Sequence, residues 1–433
     1  MKPALADSIL DVLGFSGRAD DPLCKLSGFR CRDWNYALSW LHDAGLALYL
    51  LQKIKDTNAT SVLPTSILSC LEKNLAANQR RVANMARQFE SLNQNFNRAG
   101  VKYAVVKGFS LVPLFCPDAS LRHQSDLDYL IDRRSLPIAQ GALEDAGYSL
   151  KKYSANEFVY LMPSAKRALL AEQQYEAHTS HAVELRLAFW DSDSHSVPLK
   201  EPEFSVDNVS THRWQELVFP TLPIEDAFLL QVIHAFNHIL TGWVRMSWLY
   251  EIEYFLNQRS TDRSLWESVE RRIGDDPLLR EMLVVVTGLS ARLFRAPLPA
   301  TSRVWAEDLR PPVRIWLDNY ARTWVFGKNR ADQFSLFSVA KLVLFLHQQY
   351  LSDAFSRRHL LRTRLLPWEQ LFRRVRSISS NSSANSRGRG RQLKRELIRL
   401  IFHVTGGLRY LWEIPRWRRL NRVMAHSPRP ASL

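Results

Sequence analysis

The sequence is poor in cysteine. Only Cys24, Cys31, Cys70 and Cys116 occur in 433 residues. No two of them form a CxxC pair, so neither a zinc ribbon nor a redox motif is suggested, and a few scattered thiols fit a reducing compartment. Long apolar runs are lacking as well. The most apolar stretches, Met282–Leu289 and Phe337–Leu346, are too short or too interrupted to span a bilayer. The opening MKPALADSILDVLGF carries an early Asp7 and no apolar run of the secretory kind. No internal repeat and no RNA-binding signature is present. These absences lead to the expectation of a cytoplasmic protein, with peripheral membrane association left open.

What is present is ordinary for a globular chain: 46% hydrophobic and 23% charged residues. That length buries a large core without metals or disulfides. The net charge of +15 is unevenly placed. Residues 361–433 hold 17 Lys and Arg against three acids, Glu369, Glu396 and Glu413, which leaves about +1 for residues 1–360. A basic tail follows a nearly neutral body. It suits an anionic membrane surface or a protein partner, or simply solubilises a helical domain; nucleic acid is not favoured, because no aromatic stacking motif accompanies the charge.

Residues 1–99 read as helical. Trp34–Leu51 repeats apolar residues at helical spacing. Pro64-Thr65 opens a second helix with Ile67, Leu71, Val82, Met85 and Phe89 on one face, closed near Gly100. The period then changes. Tyr103–Val106, Asp126–Ile131, Tyr148–Lys152, Phe158–Met162 and Ala182–Phe189 read as strands, with helices predicted over Ser110–Phe115 and Ser135–Ala146. This mixture implies an α+β layer structure over 100–215. From Pro223 the helical period returns, in Ile224–Ile239, Trp243–Asn257, Asp276–Phe294, Pro312–Tyr320 and Phe334–Tyr350, which gives a helical domain over 216–376. Residues 377–391 are almost free of apolar side chains and read as a disordered linker. Short helices over Gln392–His403 and Leu408–Trp417 form the basic tail, 392–433.

The chemistry concentrates in 105–131, VVKGFSLVPLFCPDASLRHQSDLDYLI. Residues i and i+2 of a strand share a face, so Asp126 and Asp128 converge. Such a pair repels itself unless a cation intervenes, and Mg²⁺ takes hard oxygen ligands of this kind. Gly108 at the preceding turn lets the backbone approach a phosphate. An Asp-x-Asp pair alone is weak evidence; its place after Lys107-Gly108 and a helix strengthens it.

That arrangement resembles the polymerase-β-type nucleotidyltransferase superfamily, and within it a bacterial nucleotidyltransferase-like family. The matching features are Lys107-Gly108, Cys116-Pro117-Asp118, Arg122 and Asp126-Leu127-Asp128. The likeness continues in the helix ending at Gly147-Tyr148 and in His181-Ala182-Val183-Glu184-Leu185-Arg186. It extends to Glu225-Asp226, His234, His238 and Trp248–Ile252, and so covers about residues 80–260. Two departures stand out: Phe109 follows Gly108, and the third acidic position is Glu184, where Asp is commoner.

The resemblance implies a nucleotidyltransferase core with a small mixed sheet. It also implies transfer of a nucleoside monophosphate from an NTP to an acceptor: a small molecule, sugar, peptide or protein. Asp126, Asp128 and Glu184 would hold two Mg²⁺ ions, Glu184 accepting the acceptor's proton. Lys107, Gly108, Ser110 and Arg122 would hold phosphates. Asp191 and Asp193 rival Glu184. Plainer readings stand beside these: Lys107 as a solvated strand-end lysine, Arg122 as a salt-bridge partner of the aspartates. His234 and His238 lack the glutamate of HExxH and a third ligand, so packing is favoured over zinc. Trp243 and Trp248 read as core. The rival function is a non-catalytic member that keeps the fold as a binding or regulatory module.

Overall fold

The computed structural model describes residues 3–15, 20–162, 175, 181–190, 196–327, 338–365 and 386–426. Asp126–Ile131 is a strand, and six others join it in one mixed sheet. In chain order they are β1 (Tyr103–Val105), β2 (Asp126–Ile131), β3 (Ser149–Tyr153), β4 (Glu157–Leu161), β5 (Ala182–Arg186), β6 (Ser210–Trp214) and β7 (Leu217–Thr221). Their order across the sheet is β3-β4-β5-β2-β1-β7-β6. β2 lies antiparallel to β1 and parallel to β5, so it is central. Both of its faces are covered, which explains why its residues from Leu127 to Ile131 are all buried.

β6 and β7 were not visible as strands in the sequence. They form an antiparallel hairpin that extends the sheet through β7 and β1, past residue 215. Their turn has no glycine signal; Gln215 itself adopts φ 52°. The half-exposed alternation of β6 also lacks an apolar face strong enough to announce it.

The long helix Thr65–Arg98 packs against this sheet through Phe89 and Phe96, whose rings meet Tyr129 on β2 at 6.3 and 5.1 Å. Burial of these aromatic side chains supplies most of the adhesion. Polar groups fix the register. Asn78 Nδ2 donates to the carbonyls of Ser120 and Arg122 at 2.6 and 2.8 Å, and Arg81 donates to the carbonyl of Gln124. The helix therefore grips the segment that leads directly into β2.

Several predicted helices differ in detail. Trp34–Leu51 is two helices, Cys31–Ala44 and Ala47–Asp56. Gly45 separates them at φ 73°, with its N–H on the His42 carbonyl, and a Cβ there would meet Ser247 Oγ at 2.6 Å. Ser110–Phe115 is instead a short 3-10 turn, Gly108–Leu111. Val112 is forced into the extended region by the proline that follows it. The tail is one helix, Ser386–His426, which begins inside the stretch read as linker. Gly406 and Gly407 do not break it: Gly406 lies so close to Lys341 that a Cβ would sit 2.9 Å from Lys341 Cγ, so the glycine serves close packing. Residues 377–385, the rest of the linker, lie outside the described residues, as do residues 366–376 before it.

The chain divides into two compact units. One comprises Met1–Asp191, Lys200–Ala235 and Arg245–Val304 and contains the whole sheet; the other comprises Ser192–Leu199, Phe236–Val244 and Trp305–Leu433. No helix of the described residues is long and apolar enough to cross a membrane.

Candidate functional site

Parallel pairing of β2 with β5 sets Asp128 opposite Glu184. Asp126, two residues before Asp128, shares its face. One carboxylate oxygen from each of the three lies within 4.8 Å of the others. No other group of His, Cys, Asp and Glu among the described residues has metal-binding spacing. Asp191 and Asp193 lie outside the described residues.

Two cations lean on this triad. Lys107, at the end of β1, donates to Asp128 Oδ1 at 2.8 Å. Arg186 is two residues beyond Glu184 on β5 and so on the same face. Its Nη2 donates to Glu184 Oε2 and to Glu157 Oε1, each at 2.6 Å, and its Nε lies 3.7 Å from Asp128 Oδ1. Glu157 and Arg186 face each other across β4 and β5.

Burial and mutual repulsion pull the three carboxylates apart in acidity. Burial, then Asp128, raises the Asp126 pKa. Burial works the same way on Asp128, but Lys107 and Arg186 together hold it below the ordinary carboxylate range. Glu184 is pushed up to about 7 by burial, Asp128 and Asp126. Each effect follows from crowding anions in a poorly solvated place. Three hard-oxygen donors whose repulsion is only partly offset by two cations fit a divalent ion such as Mg²⁺.

The turn before β2 is built for close approach. Gly108 has φ 60°, and a Cβ on it would meet Gln124 Nε2 at 2.2 Å. That amide in turn donates to the backbone carbonyl of Asp126 at 3.1 Å. Ser110 Oγ donates to the Lys107 carbonyl at 3.1 Å, closing the turn.

Arg122 takes a partner that the sequence reading did not foresee. Its Nε and Nη2 donate to Glu251 Oε1 and Oε2 at 2.7 and 3.1 Å, while Nη1 lies 3.5 Å from the Gly108 carbonyl. Tyr49 also donates to Glu251, at 2.9 Å. Arg122 is therefore clamped by a buried bidentate pair and not bonded to the aspartates. His234 packs its ring on Trp248 at 4.6 Å, and His238 on Trp243 at 5.1 Å. Trp243, read as core, is 50% exposed.

Arg186, Glu157, Gln124 and Glu251 received no role from the sequence. Arg186 was legible by the strand period alone. Glu157 was not, because it needs the β4–β5 register; Glu251 needs the tertiary placement of the helix Met246–Arg259.

The sheet, the three converging carboxylates and the glycine turn agree with a nucleotidyltransferase core. No curated protein and no solved structure matches the chain. Residues 30–295 match the family described as "Uncharacterised nucleotidyltransferase", and the chain belongs to that family.

Proposed function

We propose that the protein is a Mg²⁺-dependent nucleotidyltransferase that moves a nucleoside monophosphate from an NTP to an acceptor hydroxyl or similar group. The observation that carries this reading is the convergence of Asp126, Asp128 and Glu184 within 4.8 Å across two parallel strands. What Mg²⁺ supplies when bound to that donor set is neutralisation of the triphosphate and activation of the acceptor oxygen.

The remaining chemistry belongs to the chain. Glu184, opposite Asp128 in the parallel pair, takes the proton from the acceptor. Lys107 balances charge on Asp128 and contacts the phosphates as they arrive. The turn Gly108–Leu111, with Ser110, shapes the phosphate seat. Arg122, held by Glu251, fixes that turn from behind through the Gly108 carbonyl and adds positive charge. The acceptor is a small molecule, sugar, peptide or protein.

The test is incubation with labelled ATP, GTP, CTP and UTP in Mg²⁺, reading pyrophosphate release and label transfer. The expected result is turnover with at least one nucleotide that Asp126→Asn and Asp128→Asn abolish. Absence of both NTP binding and turnover, with Mg²⁺ or Mn²⁺, would overturn the enzyme reading and leave the fold as a binding or regulatory scaffold.

A further inference from the structure

The helix Ser386–His426 carries eleven Lys and Arg against two acids, Glu396 and Glu413. One of its faces is used within its own unit. Tyr410 and Trp417 both stack on Phe345, at 4.4 and 4.7 Å. Glu413 is buried and paired with Arg409 at 2.7 Å, and Gly406 lies against Lys341. Positions 406, 410, 413 and 417 recur at the helical period, so this is a single packed stripe.

The same period puts 397, 408, 412, 415, 419 and 423 on the opposite side. That side is not polar. Leu397, Leu408, Leu411, Trp412 and Val423 are 54%, 62%, 55%, 78% and 58% exposed. A contiguous apolar row that faces outward marks an interaction surface more often than an ordinary one. Beyond Trp412 the row turns basic, with Arg416, Arg418, Arg419 and Arg422 all exposed. Trp412, Pro415, Arg416, Arg419, Arg422 and Val423 line an open groove of about 730 Å³. Between 397 and 426 the one acid is Glu413, which is on the packed side.

We propose that this outward face docks on an anionic lipid bilayer. Leu408, Leu411 and Trp412 enter the boundary between headgroups and acyl chains, and Arg418 and Arg419 meet the lipid phosphates. The charge selects an anionic surface over a neutral one. The apolar row selects a bilayer over a nucleic acid, since a polyphosphate would pair with the arginines and leave the leucines in water. An interfacial helix takes both kinds of side chain at once, with tryptophan at the boundary.

The full-length protein is sedimented with vesicles of phosphatidylcholine alone and of phosphatidylcholine containing about a third phosphatidylglycerol. Binding to the anionic vesicles is expected to be at least about tenfold tighter and to weaken with salt. Trp412→Ser should reduce it about tenfold or more, Trp412→Phe should retain it, and the double change Arg418→Gln, Arg419→Gln should reduce it at least about tenfold. All three positions are exposed, so melting temperature and far-ultraviolet circular dichroism should stay unchanged and confirm folding. Failure to bind either vesicle overturns the proposal. So does equal binding to both, or binding that Trp412→Ser leaves intact. Capture of duplex RNA in place of vesicles would also overturn it and assign the face to nucleic acid.

Discussion

Arg186 and Lys107 make the carboxylate site tolerable before any cation enters it. Each is half-buried beside the anion it serves, with side-chain exposures of 19% and 12%. Arg186 is shared between Glu184 and Glu157, and that sharing leaves Glu184 only partly neutralised. Glu157→Gln should let Arg186 turn fully toward Glu184 and Asp128 and weaken divalent-ion binding by about 10–100-fold, as loss of a supporting residue commonly does. Calorimetric titration with Mn²⁺ reads this directly; an unchanged affinity would show that the cross-strand pair plays no part in ordering the site. Gly108→Ala should displace the Gln124 amide, release the Asp126 carbonyl and destabilise the fold by about 1–3 kcal/mol, with NTP turnover falling alongside. Thermal unfolding indistinguishable from the parent would mean that Gln124 yields freely.

At the scale of elements, two helices hold the site from behind. Thr65–Arg98 reaches the loop before β2 through Asn78, and Met246–Arg259 reaches it through Glu251. Asn78→Ala strands one buried and one partly buried carbonyl and should cost about 1–3 kcal/mol of stability in denaturant unfolding. Glu251→Ala leaves the buried Arg122 without its carboxylate and should cost about 3–5 kcal/mol, whereas Arg122→Met with Glu251→Met should cost much less. A double variant no more stable than the single one would contradict this account of the pair. The sequence disclosed these elements unequally. Helix Thr65–Arg98 and strand β2 announce themselves, one by its apolar stripe and the other by its alternation. The β6–β7 hairpin does not, since its strands are short, half-exposed and joined through a non-glycine residue at positive φ. Asp126 and Asp128 were legible from the strand period, but the partner of Arg122 was not. Nothing local in Arg122 or Glu251 tells that they meet, because the contact is made by packing between distant segments.

For the molecule as a whole, one buried acid sets a pH dependence away from the site. Glu253 is fully buried, accepts the Ala296 N–H, and its Oε2 has no hydrogen-bond partner among the described residues. Burial pushes its pKa up from 4.5 to about 8. The folded protein therefore keeps this proton up to about pH 8, while the unfolded chain releases it near 4.5. Between those values the native state binds more protons, so stability falls as pH rises, by about 1.4 kcal/mol per unit from this group. Glu253→Gln should flatten that segment of the stability–pH curve in denaturant titrations. An unaltered slope would place the dependence elsewhere.

The register between β2 and β5 has a consequence in time. Asp128 and Glu184 are neighbours only because two parallel strands far apart in the chain have found each other, β3 and β4 intervening in sequence and lying beyond β5 in the sheet. Glu251, which steadies Arg122, is made later still. During synthesis the amino-terminal portion thus emerges with its aspartates but without their third acid or their clamp. Non-local pairing of this kind is slow to form. The nascent chain therefore completes its carboxylate cluster late, and any fragment ending before β5 keeps the Asp-x-Asp motif without its third acid.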